Sequence, residues 1–534
     1  MRKRLFSGLL ALLLCLSFAV PAFAEDEVDK FSIINQIAIY AEQNYKFGVS
    51  SEQLKNRALE YMLENNDTDL DNVLTAMLGS LDDYTRYFTK EQYENFTGAL
   101  TASLRGIGVR VRAVKSGAAV IGVLSGSPAE KAGIKAFDII TAVGDKSLAG
   151  LTMDEAASLI QGDEATSVSL SVKRAGEEDE LNFDIVRANV EESTVSWSKL
   201  DDETAYISFT SLTLNSDVFM RKVLGEIDEA GIKKIVLDLR DNGGGYLEAT
   251  VNICSMFVPE GVVGYIDYKD PNKLETFYSD NKNPKYQLAV LINGNTASGA
   301  ELLSGTIQDT GVGKLFGEQS FGKGTVQTVM PMGRAEYGSM KITTARFYRI
   351  NGSSTQVRGI ASDIRLPSAF DERTDVGEDN LPNALPWSRI EPASYDAIWN
   401  MQDFVPRLKE LSAARVQASP EWTRRLQVVK LCRDLSERRT APLERAARKK
   451  MMKEERAILD EVDDVGDEDE DEATAEPTDE EDAVAARKRD IVLTEALNVL
   501  GDLARLTRGG EAPDAPAQQP RIPAWLQLLQ GGRE

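Results

Sequence analysis

The chain has 534 residues, of which 42% are hydrophobic and 27% charged, as in globular proteins with several domains. It contains no histidine, which excludes Ser-His-Asp and Cys-His catalysis and every histidine-ligated metal site. The formal net charge of −24 argues against nucleic acid as a partner, because a phosphate backbone would repel such a chain.

The N-terminus has the three parts of a secretory signal peptide. Basic residues at positions 2–4 precede an apolar run over residues 5–20, and Ala22-Phe23-Ala24 forms a small-residue cleavage site. We therefore predict that residues 1–24 are removed and that the mature protein is periplasmic or secreted. An uncleaved membrane anchor is the alternative, but the apolar run is shorter than the roughly 20 residues that span a bilayer.

The cysteines are Cys15, Cys254 and Cys432, too few for a disulfide framework or a four-thiolate metal site. Cys15 lies in the predicted signal peptide. We expect the other two to be buried or free thiols, with a single bridge between them as the less favoured alternative. The sequence predicts no metal and no other cofactor.

Residues 25–97 are predicted to form a helical region, because their apolar residues recur three and four positions apart. Asp67, Asp69 and Asp71 imitate the start of a calcium-binding loop. The imitation fails, since Asn72 stands where the loop needs glycine and Leu78 where it needs a bidentate glutamate.

Short strands and capped helices follow in residues 98–187. Capping boxes begin at Ser127 and at Thr152, and apolar residues alternate with serines over residues 167–172. Together with the stretch Arg105-Gly106-Ile107-Gly108-Val109, this region resembles a PDZ domain of the bacterial protease type. In such a loop, backbone N–H groups bind the terminal carboxylate of a peptide, and the following strand pairs with the peptide.

Residues 190–370 alternate buried strands with helices. Strands are predicted at 235–239 and 288–292, and helices at 247–257 and 298–308, with glycine-containing turns between them. This order predicts a mixed α/β sheet.

Ser298 and Lys323 are the candidate reacting residues. Ser298 follows a buried strand and begins a helix, which exposes its hydroxyl near the positive end of the helix dipole. By itself this pattern is typical of an ordinary N-cap serine. Lys323 can replace histidine as a general base if burial lowers its pKa enough to make the amine neutral, and activity would then rise with pH.

A nucleotide-binding loop is the competing interpretation of the same lysine. Residues 317–323 match the first seven positions of a P-loop, but Gly324 stands where Ser or Thr must bind magnesium. Residues 325–329 alternate as a strand does, whereas a P-loop opens a helix. We therefore predict no nucleotide site.

Three stretches, at 238–245, 296–301 and 322–327, resemble the signature motifs of the carboxyl-terminal processing peptidases. Further similarity at 347–349, 354–356 and 383–387 resembles the tail-specific protease branch. The resemblance implies a serine endopeptidase with a Ser-Lys dyad and a PDZ domain that binds the substrate's C-terminus. It also implies a multidomain α/β fold with a mixed α/β core of the ClpP/crotonase type and a helical C-terminal extension.

The resemblance assigns roles to individual residues. Ser298 takes the place of the nucleophile and Lys323 that of the general base, while Gln327 matches the residue that orients the lysine. Backbone N–H groups near Gly244 and Gly299 would form the oxyanion hole. The PDZ loop at residues 105–109 would bind the substrate.

Asp309 and Glu301 have weaker assignments. Asp309 matches a position also assigned to the site in tail-specific proteases, but eleven residues of helix would place it about 16 Å from Ser298. We expect it to support the structure instead of relaying protons, and Glu301 to cap or brace the nucleophile helix. The chain departs from the family at Gly299, where alanine is usual, and at residues 361–363.

Residues 460–482 contain 15 acidic residues and no Lys or Arg, which predicts a disordered linker. The leucine stripe that follows, from Leu493 to Leu506, is predicted to pack on the preceding helices. The predicted order is signal peptide (1–24), helical N-terminal region (25–97), PDZ domain (98–187), serine peptidase core (188–390), helical C-terminal region (391–459), acidic linker (460–482), C-terminal helix (483–508) and disordered tail (509–534).

The predicted partners are protein substrates with apolar C-terminal tails and an adaptor protein. One rival interpretation is a catalytically inactive PDZ-containing scaffold of the cell envelope that binds peptides. The other is a structural envelope protein that makes contacts through its acidic tail.

Overall fold

The computed structural model describes residues 30–101, 103–124, 126–174, 179–191, 193–332, 338–367, 377–395, 402–437 and 490–507, with a few further positions at 177 and between 444 and 453. The predicted signal peptide, acidic linker and C-terminal tail lie outside these residues. The chain forms two compact units, the first containing Met1–Thr89 and Thr328–Thr343 and the second Lys90–Gln327 and Thr344–Glu534. Within the described ranges, no helix is long and apolar enough to cross a membrane.

The first unit is mainly helical. Its elements are α1 (Lys30–Asn44), α2 (Ser51–Asn65), α3 (Leu70–Gly79) and β1 (Arg86–Phe88), and β1 pairs antiparallel with residues 339–341. The helices bury the apolar stripes that the sequence shows, and Asp69 caps α3. The strand β1 corrects the all-helical prediction, because three residues are too few to show alternation and their partner is remote in sequence.

The second unit begins with α4 (Lys90–Thr101) and continues into the PDZ domain, which confirms the predicted fold of this region. Strands β2 (Ser103–Gly106) and β9 (Ala188–Glu191) pair with each other. The domain's sheet has the order β3-β4-β5-β7-β8, with β6 beside β5, so that β3 is an edge strand. Its strands and helices are β3 (Val109–Val114), β4 (Gly117–Val123), α5 (Pro128–Ala132), β5 (Ile139–Val143), β6 (Lys146–Ser147), α6 (Met153–Ile160), β7 (Ser167–Lys173) and β8 (Leu181–Val186).

The peptidase core contains a six-stranded sheet of order β10-β11-β12-β15-β16-β19, parallel except for the pairing of β10 with β11. This confirms the predicted mixed α/β fold. The strands are β10 (Val195–Lys199), β11 (Thr204–Phe209), β12 (Lys234–Asp238), β15 (Gln287–Ile292), β16 (Gly313–Gly317) and β19 (Ile364–Arg365). The helices are α7 (Ser216–Glu229), α8 (Leu247–Phe257) and α9 (Gly299–Thr310).

Helices cover both faces of this sheet. Ile235 and Leu237 of β12 pack with α7, α8 and α9, whereas Val236 between them packs with the C-terminal helices. Those helices are α10 (Val405–Ala418), α11 (Pro420–Glu437) and α12 (Ile491–Thr507). The leucine stripe of α12 therefore packs on the sheet as well as on the preceding helices, which is why the central strands are apolar throughout.

A second sheet of the core pairs β13 (Gly261–Tyr268) with β14 (Leu274–Ser279) and with residues 345–349 of β18 (Ser339–Arg349). Strand β17 (Thr325–Pro331) pairs with β18. The loops after β12, β15 and β16 all leave the carboxyl edge of the parallel sheet, where ligand sites of α/β proteins form. The three signature stretches at 238–245, 296–301 and 322–327 lie in these loops and in the adjoining residues of the neighbouring elements.

Candidate active site

Ser298 occupies a strained turn between β15 and α9. Its backbone has φ 54° and ψ −117°, which a residue other than glycine rarely adopts. The side chain is half-buried at the N-terminus of a helix whose other residues are mostly buried. A strained strand-to-helix turn that presents a hydroxyl is a known way to hold a nucleophile.

Lys323 lies in the loop before β17, and its amine is oriented by two acceptors. Nζ donates to Gln327 Oε1 at 2.8 Å and to the Thr325 carbonyl at 2.9 Å. The Gln327 amide is itself fixed, because its Nε2 donates to Thr325 Oγ1 at 2.9 Å. Gln327 thus lies where the sequence analysis expects a residue that orients the lysine.

One carboxylate joins the two loops. Glu301 Oε2 accepts hydrogen bonds from the backbone N–H of Ser298 at 2.8 Å and of Lys323 at 2.9 Å. Its Oε1 accepts from Gly322 N–H at 2.8 Å and from Ser320 Oγ at 2.6 Å. The two candidate reacting residues are therefore bonded through their backbones to a single oxygen atom.

Glu301 is fully buried, and burial raises its pKa to about 7, although its four hydrogen bonds act in the opposite direction. The sequence predicts only that Glu301 caps or braces the helix, and its bond with the Ser298 N–H confirms the cap. A surface position is the ordinary expectation for glutamate, so its burial between two loops could not be derived from the sequence.

Gly244 brings the loop after β12 against Ser298. A Cβ atom on Gly244 would lie 2.6 Å from the Ala297 carbonyl oxygen and 2.8 Å from Ser298 Cβ, so only glycine fits. The Gly244 N–H donates to Asn242 Oδ1 at 2.9 Å in this conformation. Among the described residues, the N–H groups of Gly245 and Gly299 have no acceptor.

Asp309 lies at the other end of α9, apart from this cluster. Its carboxylate accepts from Arg349 Nη2 at 2.8 Å, from Arg349 Nε at 3.1 Å and from Asn351 Nδ2 at 3.0 Å. These contacts tie the helix to β18 and its following turn. The structure thus does not bring Asp309 together with Ser298 and Lys323.

The PDZ loop has the features of a carboxylate site. The carbonyl oxygens of Ile107 and Gly108 accept from Ala129 and Leu124, while their N–H groups have no acceptor within the described ranges. Gly108 has φ 81°, and a Cβ there would lie 2.4 Å from Ser127 Cβ. Arg105 is exposed, with its guanidinium 3.9 Å from the Asp163 carboxylate.

Two further predictions concern Cys254 and the residues that follow Lys323. Cys254 is a buried free thiol, as predicted. Lys323 is followed by the strand β17 and not by a helix, which agrees with the rejection of a nucleotide-binding loop.

Three family profiles match the chain. "Peptidase family S41" matches residues 203–366, "PDZ domain" residues 120–174, and "C-terminal domain of tail specific protease" residues 372–505. The first includes Ser298 and Lys323, and the third includes α10, α11 and most of α12.

Relatives of known type are similar to this chain over more than half of its length. The chain is 31% identical over 325 residues to the carboxy-terminal processing protease CtpA of Bacillus subtilis, covering 60% of this chain and 68% of that protein. It is 30% identical over 354 residues to CtpB of the same organism, covering 65% and 71%.

The tail-specific protease of Haemophilus influenzae is 27% identical over 418 residues, covering 74% of this chain. The chain spans 60% of the length of that longer relative. The matches and the arrangement of the loops agree: this chain belongs to peptidase family S41, among its serine-type carboxy-terminal processing and tail-specific proteases.

Proposed function

We propose that the chain is a Ser-Lys endopeptidase that binds protein C-termini through its PDZ domain and cleaves the bound chain at Ser298. The observation that carries this proposal is the shared carboxylate of Glu301, which holds the backbones of Ser298 and Lys323 side by side. The fold and the family membership supply the reaction class, the hydrolysis of a peptide bond.

The proposed base is the neutral amine of Lys323, whose N–H groups donate to the Gln327 and Thr325 oxygens. In the reaction, its lone pair accepts the proton of the Ser298 hydroxyl. Gln327 orients the base through this geometry.

The reaction follows in two steps. Ser298 Oγ attacks the scissile carbonyl while Lys323 Nζ takes its proton, and the resulting ammonium then protonates the leaving amine. Water then attacks the acyl-enzyme while the same amine takes its proton. The ammonium returns this proton to Ser298 Oγ as the ester bond breaks, which releases the carboxylate product. The oxyanion forms beside the Gly299 N–H, which is its first donor. The second donor is the Gly245 N–H, or the Gly244 N–H once its bond with Asn242 is broken.

Substrate binding is proposed at the PDZ loop. The N–H groups of Ile107 and Gly108 bind the terminal carboxylate, with Arg105 beside the loop, and Val109 begins the edge strand β3, where the substrate tail adds a strand. Apolar tails are the proposed substrates, with an adaptor protein as a further partner. Removal of residues 1–24 would place the enzyme in the periplasm or outside the cell.

The test uses the purified mature chain and an unfolded protein that ends in an apolar tail. Wild type should cleave this protein and Ser298→Ala should not, while the same protein with a charged tail should be cleaved poorly. Binding of the tail without cleavage by wild type would support the scaffold interpretation and overturn the proposal.

A further inference from the structure

Two loops build the candidate site, and each is also held by a residue outside the peptidase profile at 203–366. We define the lysine loop as residues 320–324 and the glycine loop as residues 239–245. Both outside residues, Glu378 and Asp490, lie in the region that matches the C-terminal domain of tail-specific proteases.

The lysine loop is bonded along its whole backbone. Val357 N–H donates to the Gly322 carbonyl at 2.7 Å, and Thr355 Oγ1 donates to the Lys323 carbonyl at 3.0 Å. At Gly324 the N–H donates to Gln356 Oε1 at 2.9 Å. The position of Lys323 therefore depends on the orientation of the Gln356 amide.

Glu378 fixes that orientation. It is buried, its carboxylate accepts from Gln356 Nε2, and its own N–H donates to the Phe321 carbonyl at 3.0 Å. A carboxylate only accepts hydrogen bonds, so it selects the amide orientation in which Gln356 Oε1 faces the Gly324 N–H. Glu378 thus holds the lysine loop at both ends.

Asp490 holds the glycine loop in a comparable way. Arg240 forms bidentate bonds with Asp238, and its Nη2 also donates to Asp490 Oδ2 at 2.6 Å. The other oxygen of Asp490 accepts from the N–H groups of Val492 and Leu493 and so caps α12. One side chain therefore begins the last described helix and contacts the loop beside Ser298.

Packing alone does not fix the glycine loop on the side that faces the C-terminal helices. A cavity of about 240 Å³ lies between the glycine loop and the C-terminal helices, lined by Arg240, Asp241, Arg425 and Val492 among others. Because the loop borders open space on this side, the ion pair with Asp490 restrains it there.

We propose that Glu378 and Asp490 are positioning residues of the peptidase site, each fixing one of its two loops from the C-terminal region. The inference rests on the proposed function, since it gives both loops a part in catalysis. Misplacing a reacting group by about 1 Å costs roughly 100-fold in rate, so contacts that fix the two loops matter to turnover.

Asp490→Asn is the first test, in the full chain. Asparagine keeps the helix cap, because Oδ1 still accepts, but it places an amide where Arg240 needs an oxygen. We expect kcat to fall on the order of 10-fold with KM and the unfolding midpoint nearly unchanged. Asp502→Asn is the matched control, because Asp502 lies on the same helix and pairs with Arg415, away from the glycine loop.

Glu378→Met is the second test. It leaves the Gln356 amide without its orienting acceptor, and kcat should fall by roughly 10- to 100-fold. Glu378→Gln offers a carbonyl oxygen to the same amide, so this variant should keep most of the wild-type rate. The glutamine variant is informative even if the methionine variant does not fold.

The outcomes separate the two proposals. Cleavage by wild type and its loss in Ser298→Ala support the proposed function irrespective of these variants. The positioning role is overturned if Asp490→Asn keeps kcat within twofold of wild type, or if Asp502→Asn lowers kcat as much. It is also overturned at Glu378 if the glutamine variant is no faster than a folded methionine variant.

Discussion

The two ends of α9 each bury a carboxylate, and they hold it in different ways. At the N-terminal end, Glu301 accepts hydrogen bonds from three backbone N–H groups and a hydroxyl. At the C-terminal end, Asp309 is paired with the guanidinium of Arg349 and with Asn351. Burial raises the pKa of both carboxyl groups, but at Asp309 the charge of Arg349 opposes this effect, whereas at Glu301 only neutral donors oppose it.

The difference separates a site residue from a structural one. Glu301 joins two loops that carry candidate reacting groups, so a change there should alter the rate. Asp309 joins a helix to a strand, so a change there should alter stability. Four predictions test this distinction, from the largest expected effect to the smallest.

Removal of the reacting groups should have the largest effect. Ser298→Ala and Lys323→Met should each lower kcat by a factor on the order of 10⁴ to 10⁶, because nucleophile and base act as a unit. Lys314→Met is the control, since Lys314 is a buried lysine of the six-stranded sheet that lies within β16 and not in the loop that carries Lys323. Initial rates on the apolar-tailed protein give the measurement, and undiminished proteolysis by a folded Lys323→Met would refute the dyad.

Glu301→Gln should lower kcat by roughly 100-fold. An amide has one accepting oxygen, so in the variant its Nε2 group would face N–H or O–H donors that bond to a carboxylate oxygen in wild type. These donors would repel it, and the two loops would separate. Single-turnover rates should fall while KM changes little. An unchanged rate would mean that the shared carboxylate does not set the geometry of Ser298 and Lys323.

Asp309→Asn should reduce the unfolding free energy by about 3–5 kcal/mol, because it leaves a buried guanidinium without its counter-charge. The rate per folded molecule should stay within about threefold of wild type. Denaturant unfolding and active-site titration measure the two quantities separately. A loss of rate comparable to that of Glu301→Gln would place Asp309 in the reaction after all.

The pH dependence of stability gives the subtlest effect. The pKa of Glu301 is raised from 4.5 to about 7, so between these values the folded protein binds a proton that the unfolded chain has released. The stabilisation of the folded state by this proton is fully present below pH 4.5 and is lost as the pH rises through 7. The loss amounts to roughly 3 kcal/mol of unfolding free energy. Guanidinium unfolding at pH 5 and pH 8 measures the loss of unfolding free energy between these two pH values. The loss should be larger in wild type than in Glu301→Gln, and equal losses in the two proteins would contradict the prediction.

Much of the core could be predicted from local sequence. Strands β12 and β15 are apolar runs followed by glycine turns, and the motif stretches predict Ser298, Lys323 and Gln327 as site residues. What could not be predicted depends on contacts remote in sequence. The burial of Glu301, the pairing of β1 with residues 339–341 and the packing of α12 on the sheet have no local signal, since each depends on a distant partner.

The covering of the central sheet by α12 has a consequence for biogenesis. Ribosomes make a chain from its N-terminus, so Val236 and Leu291 are synthesised long before the helix that shields them from water. Until α12 joins α10 and α11, this apolar face of the sheet is only partly covered. A chain that ends before residue 491 would therefore leave part of this face exposed to water and prone to aggregation.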